Sequence, residues 1–121
     1  MQRYVVEFGM GADLHGCDST KAALRAGHDA THRSCLCGLV EIMNRGGFEG
    51  VHVHVDLAVP HPERVDCDAV LAAVPIGEKS IEVKDGGLAV PGIEVPVFAT
   101  GSSDIVIAVA ALTVSVAPKG E

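Results

Sequence analysis

The chain has 121 residues, 48% of them hydrophobic and 21% charged, with a net charge of −7. That composition excludes a disordered chain and sets the scale of one domain over residues 1–121. The acidic balance, with three Phe, one Tyr and no Trp, excludes a nucleic-acid partner, which needs clustered Lys and Arg or a stacking platform.

The first strand is predicted over Arg3–Phe8, followed by the glycine segment Gly9–Gly16, G-M-G-A-D-L-H-G. A helix starts near Asp18-Ser19-Thr20, where Asp or Ser can cap orphan amides. Ala22, Ala23, Ala26 and Ala30 give it a small-residue face for close packing on a sheet. Helical spacing continues through Leu36, Leu39, Val40 and Met43, with a break near Ser34 and a stop at Gly46-Gly47. Val51–Val59 alternates apolar and polar residues with period two and is a strand, ended by Pro60 and Pro62. Asp66 caps a short helix over Cys67–Val74. Lys79–Lys84 and Leu88–Val90 flank Asp85-Gly86-Gly87, a hairpin signal. Ile93–Phe98 carries no decisive signal, and Thr100–Asp104 reads as a loop. Ile105–Val116 is a long strand whose first half is apolar on both faces, hence central and covered on both sides. Residues 117–121 form a polar, flexible tail.

The expected order is β-α-β-α-β-β-β, an α+β layer with a mixed sheet and both helices on one face. The other sheet face then needs a cover, and the easiest is another copy of the chain, so a homo-oligomer is expected. The start of the chain reaches Glu7 too soon for a signal peptide, and the longest apolar run, Ile105–Leu112, is far shorter than the roughly 20 residues that span a bilayer. A cytoplasmic protein without a membrane partner is expected. Cys17, Cys35, Cys37 and Cys67 contain no C-x-x-C pair and read as reduced, mostly buried residues. Cys35 and Cys37 with nearby histidines are the alternative, a zinc staple.

Four constellations can carry chemistry. In the first, Gly9, Gly11 and Gly16 let the backbone approach a ligand, and Lys21 and Arg25, four apart on the helix, can bind a small anion. Nucleotide patterns fail here: Leu14 stands where a dinucleotide fingerprint needs glycine, and Cys17 where a P-loop needs lysine. No nucleotide or redox cofactor is expected. In the second, Asp13 and His15 supply an acid–base pair or two ligands for a divalent metal such as zinc. The third is His52, His54 and Asp56 on one strand face, with His28 and His32 at i, i+4 on a helix; any of these histidines can complete a metal set. The fourth, Gly101-Ser102-Ser103-Asp104, lacks a nucleophile elbow and reads as a turn.

The segment G-M-G-A-D-L-H-G resembles the hallmark of a Lin-type family of conserved hypothetical proteins. The resemblance extends to Thr20-Lys21-Ala22-Ala23 with Arg25, Val59-Pro60-His61-Pro62-Glu63 with Val65, and Gly86-Gly87-Leu88. It implies kinship without a mechanism. A weaker resemblance is to methylerythritol cyclodiphosphate synthase, a trimeric α/β enzyme with a metal at each subunit interface. Asp13 and His15 match its D-x-H metal ligands, Ala23–Ala30 resembles its helix, and Thr100-Gly101 resembles its diphosphate-contacting segment. Its third metal-binding histidine falls on Arg25, and its segment between D-x-H and the helix is missing here. The resulting expectation is a trimer with a small-molecule site at the glycine segment. If catalytic, it is a lyase, isomerase or hydrolase in which Asp13 and His15 act and Lys21 and Arg25 bind substrate. Asp13→Ala and His15→Ala should then abolish activity and leave the fold intact. The alternative is a non-catalytic ligand-binding or assembly module.

Overall fold

The computed structural model describes residues 1–45, 48–98 and 102–118. Five strands form one sheet: β1 (Gln2–Asp13), β2 (Val51–Val59), β3 (Glu78–Asp85), β4 (Leu88–Pro91) and β5 (Asp104–Val116). The main order is β1-β5-β2-β3, with β4 also on β5. β5 runs antiparallel to β1, β2 and β4, while β2 and β3 are parallel. The helices α1 (Ser19–Thr31), α2 (Cys37–Glu41) and α3 (Cys67–Ala72) complete the α+β layer. None of the described helices is long and apolar enough to cross a membrane.

The inner sheet face carries the core. Val51, Val53, Val55, Leu57 and Val59 of β2 meet Val106, Ala108, Ala110, Leu112, Val114 and Val116 of β5 there. The α1 stripe Ala22, Ala23, Ala26 and Ala30 is fully buried against them. Side chains this small bring a helix backbone very near a sheet, and the facing strand must then be smooth. Gly9 and Gly11 provide that surface. A Cβ on Gly9 would lie 2.2 Å from the Ala26 carbonyl oxygen, and one on Gly11 would lie 2.4 Å from the Ala26 nitrogen.

β1 is therefore longer than the sequence suggests. It continues through the glycines to Asp13, paired with β5 from Gln2↔Val116 to Asp13↔Val106. Glycine usually weakens a strand, but here the missing side chains make room for a helix. The break after α1 falls at His32, and helix resumes at Cys37, as the pattern near Ser34 indicated. Asp66 caps α3 by accepting the Ala69 amide. The Gly46-Gly47 stop, the Thr100-Gly101 segment and the tail beyond residue 118 lie outside the described residues.

The expected hairpin at Asp85–Gly87 is corrected. β3 pairs with β2, and β4 pairs with β5 in continuation of the lane that β2 leaves. The glycines shift the chain from one lane to the next. Gly87 has φ +65°, and a Cβ there would sit 2.1 Å from the Ile107 carbonyl oxygen. Two further connections lock this end of the molecule. Ser19 Oγ donates to the Pro60 carbonyl at 2.6 Å, and Thr20 Oγ1 accepts the Asp66 amide at 3.0 Å. The Val59–Val65 stretch is thus clamped to the first turn of α1.

The outer face is divided. On β1, β4 and β5 it exposes Phe8, Met10, Leu88 and Val109, with Phe8 at 67%. On β2 and β3 it carries His52, His54, Asp56, Ser80 and Glu82, aligned by the pairs His54↔Ser80 and Asp56↔Glu82. β5 is central as expected, but within one chain its outward Val109 is exposed.

Candidate functional site

Asp13 ends β1 on the inner face and is 6% exposed. Its Oδ2 accepts the Gly16 amide at 3.1 Å and the Asp18 amide at 2.9 Å. Asp18 in turn accepts the Lys21 amide and caps α1. Arg25 Nη1 lies 3.6 Å from Asp13 Oδ1 and donates to the Ala12 carbonyl at 2.6 Å. The Asp13 carboxylate thus occupies two of the loop amides and faces the Arg25 cation. His15 is half-buried in the same bend, and Lys21 is exposed.

Gly9 and Gly11 turn toward the α1 backbone, so their close approach is to a helix. Gly16 meets Asp13 through its amide. His28 and His32 stack with ring centroids 3.8 Å apart, and His32 Nδ1 contacts the His28 carbonyl at 2.7 Å. Beside them Asp29 holds the Arg33 guanidinium at 3.0 and 2.8 Å and accepts the Met10 amide of the edge strand. The Arg33 hydrogen bonds, then the Met10 amide, hold the Asp29 carboxyl below the ordinary aspartate value.

All four cysteines are free, and none is fully buried; Cys35 and Cys37 are exposed. This corrects the expectation of mostly buried thiols. The segment between α1 and α2 is irregular and follows the surface, so both side chains sit at its rim.

The structure shows a cavity that the sequence does not announce. β1 extends roughly 40 Å, whereas α1 is about 20 Å long, so α1 covers only part of the strand. Residues 32–36 and the single turn of α2 roof the remainder incompletely. A 310 Å³ cavity results, with Val53, Leu112 and Val114 of the sheet on one side and Leu36, Val40 and Val74 among the residues opposite. Glu7, 9% exposed, also lines it, and Glu7 Oε2 accepts a hydrogen bond from Ser34 Oγ. Cys35 and Cys37 contribute as well. A mostly apolar space of this volume with a single carboxylate is the usual form of a small-molecule site. The signal for Glu7 is parity: it is in phase with Gly9, Gly11 and Asp13, all turned inward.

The polar half of the outer face gathers a second group. His54 Nε2 lies 3.3 Å from Asp56 Oδ1, and His54 Nδ1 lies 2.6 Å from Ser80 Oγ. His52 Nε2 reaches the same hydroxyl at 3.0 Å. Ligand atoms of His54, Asp56 and Glu82 all lie within 4.8 Å of one another and can hold a metal ion. Among the described residues this is the cluster of three such groups, and neither Asp13 nor His15 belongs to it. Within one chain, His52 and His54 are on the sheet face opposite Asp13.

Comparison with known proteins agrees with this architecture. The family model described as "Conserved hypothetical protein (Lin0512_fam)" matches residues 3–114. A crystal structure of a protein of unknown function from Nostoc punctiforme, described as FtsZ-like, superposes with a TM-score of 0.84. It is 37% identical, and the match covers 93% of each chain. A comparison with curated proteins gives no match.

Proposed function

The chain belongs to the Lin0512 family of conserved hypothetical proteins, and on that footing we propose that it binds a small molecule in the cavity between the inner sheet face and the α1–α2 connection. The observation that carries this reading is Glu7, a carboxylate set into a mostly apolar 310 Å³ space. Burying a carboxylate costs free energy unless it is paired, and Ser34 supplies one neutral donor. A ligand with an apolar body and a cationic or hydrogen-bond-donating head complements the rest. The glycine segment is less suited to an anion, because Asp13 already takes the Gly16 and Asp18 amides.

The test uses straight-chain primary amines of four to eight carbons and the matching carboxylates as probes. Amines are expected to raise the melting temperature of the protein, and carboxylates are not. Glu7→Gln keeps an acceptor for Ser34 and should remove the amine response. Equal responses to amines and carboxylates, or an unchanged response in Glu7→Gln, would refute the reading.

A second reading concerns assembly, favoured by the contiguous apolar half of the outer face. Met10 stands opposite Val109 and Leu88 opposite Ile107 in adjacent lanes, with Phe8 beside them. We infer that this patch joins copies of the chain, with a trimer as the expected assembly. Native mass spectrometry should show an oligomer that Val109→Asp converts to monomers. A wild-type monomer overturns the inference.

A further inference from the structure

We propose that His54, Asp56 and Glu82 form a binding site for one divalent transition-metal ion on the outer face of the sheet. The three residues come from adjacent parallel strands, and the Asp56↔Glu82 register places the two carboxylates side by side. Two atoms bound to one cation at about 2.0–2.1 Å and a tetrahedral angle are about 3.3–3.4 Å apart. His54 Nε2 and Asp56 Oδ1 are 3.3 Å apart. That edge is set without an ion in place; the Glu82 carboxylate, within 4.8 Å of both, closes in to complete the set.

Ser80 gives the site its orientation. Its hydroxyl can accept from His54 Nδ1–H and donate to His52 Nε2, at 2.6 and 3.0 Å. In that tautomer the His54 Nε2 lone pair faces the Asp56 carboxylate, an arrangement that a cation between them stabilises. Ser80 thereby fixes the imidazole plane, as outer groups do for metal-ligating histidines.

One imidazole with two carboxylates suits zinc, manganese or ferrous iron; magnesium and calcium prefer all-oxygen sets. Three protein ligands leave a coordination position open. A 230 Å³ groove lined by Phe8, Asp56, Ala58, Lys84, Val109 and Ala111 adjoins the site through Asp56. Within one chain, water or an anionic ligand entering it can reach the ion, and Lys84 lines the same groove. The site is separate from the inner-face cavity and does not depend on it.

The experiment is calorimetric titration of the full chain with Zn²⁺ and Mn²⁺ in turn, and Mg²⁺ as the hard-cation control. Cys35→Ser with Cys37→Ser serves as background, because exposed thiols bind zinc themselves. One ion per chain is expected for Zn²⁺ and Mn²⁺. Affinity should fall at least tenfold in His54→Ala and in Asp56→Asn, and by roughly tenfold in Ser80→Ala. Circular dichroism of each variant shows that the fold is kept; these side chains sit on the solvent face, and two independent ligand variants guard against one misfolding. Binding that survives both ligand variants, that disappears in the cysteine-free background, or that is lost in His15→Ala instead overturns the proposal.

Discussion

Gly9→Ala is expected to destabilise the protein by about 3 kcal/mol or more, the scale of overpacking against groups that cannot yield. The new methyl carbon would lie 2.2 Å from the Ala26 carbonyl oxygen, 2.4 Å from the Ala30 nitrogen and 2.9 Å from the Ala30 Cα. All three are backbone atoms of α1, so no rotamer change relieves the clash. Either the helix lifts from the sheet, opening space around Ala22, Ala23, Ala26 and Ala30, or β1 separates from β5. Gly27→Ala is the matched control on the same helix. Nothing lies within 4 Å of its Cβ position, and replacing a helical glycine there should stabilise by about 0.5–1 kcal/mol. Urea denaturation of the two variants should therefore move the midpoint in opposite directions. A Gly9→Ala protein within 1 kcal/mol of wild type, on the scale of the control, would mean that α1 does not hold its backbone against the strand.

The same contact explains what the sequence discloses and what it conceals. β2 was legible because burial on one face and solvent on the other impose period two, and Val51–Val59 shows it without interruption. The alanine stripe of α1 and the Asp66 cap were legible as local signals. The extension of β1 was not, because G-M-G-A read locally is a turn. Only the position of α1 over Gly9 and Gly11 makes it strand, and that is tertiary information. Asp85-Gly86-Gly87 misleads in the same way. Its local chemistry favours a hairpin, while the parallel pairing of β3 with β2 and the fit of Gly87 beneath Ile107 decide otherwise.

The candidate sites divide along the same line. Alternation alone places His52, His54 and Asp56 on one face. Ser80 and Glu82, which complete that group, arrive from a strand 26 residues further on, through a register that no local pattern encodes. Glu7 has no motif around it, and its cavity exists because α1 is too short to cover β1. The D-x-H pair is the most visible feature, and its Asp13 is engaged in the scaffold of the loop. Asp13 holds Asp18, and Asp18 caps the helix whose closeness requires the glycines.

That chain of contacts makes Asp13→Ala the second large effect, an expected loss of about 2–4 kcal/mol. The variant strips the acceptor from the Gly16 and Asp18 amides and leaves Arg25 without the carboxylate 3.6 Å away. Arg25 is more than half exposed, so the ion pair itself adds little, and the two amide bonds carry most of the loss. Asp13→Asn keeps an oxygen acceptor and should lose less than half as much. Asp18→Ala removes only the cap, at about 1 kcal/mol. Because Asp13 positions Asp18, the double variant should lose less than the sum of the two singles, a coupling that a double-mutant cycle in urea measures directly. Additive losses would mean that the two aspartates act independently. An Asp13→Ala protein as stable as wild type would free the carboxylate from its scaffold role and restore it, with His15, as a pair available for chemistry. The catalytic reading of the sequence expects the fold to stay intact. The two amides on Oδ2 are the reason to expect the loss of stability, and the reason any assay of an Asp13 variant must be normalised to its folded fraction.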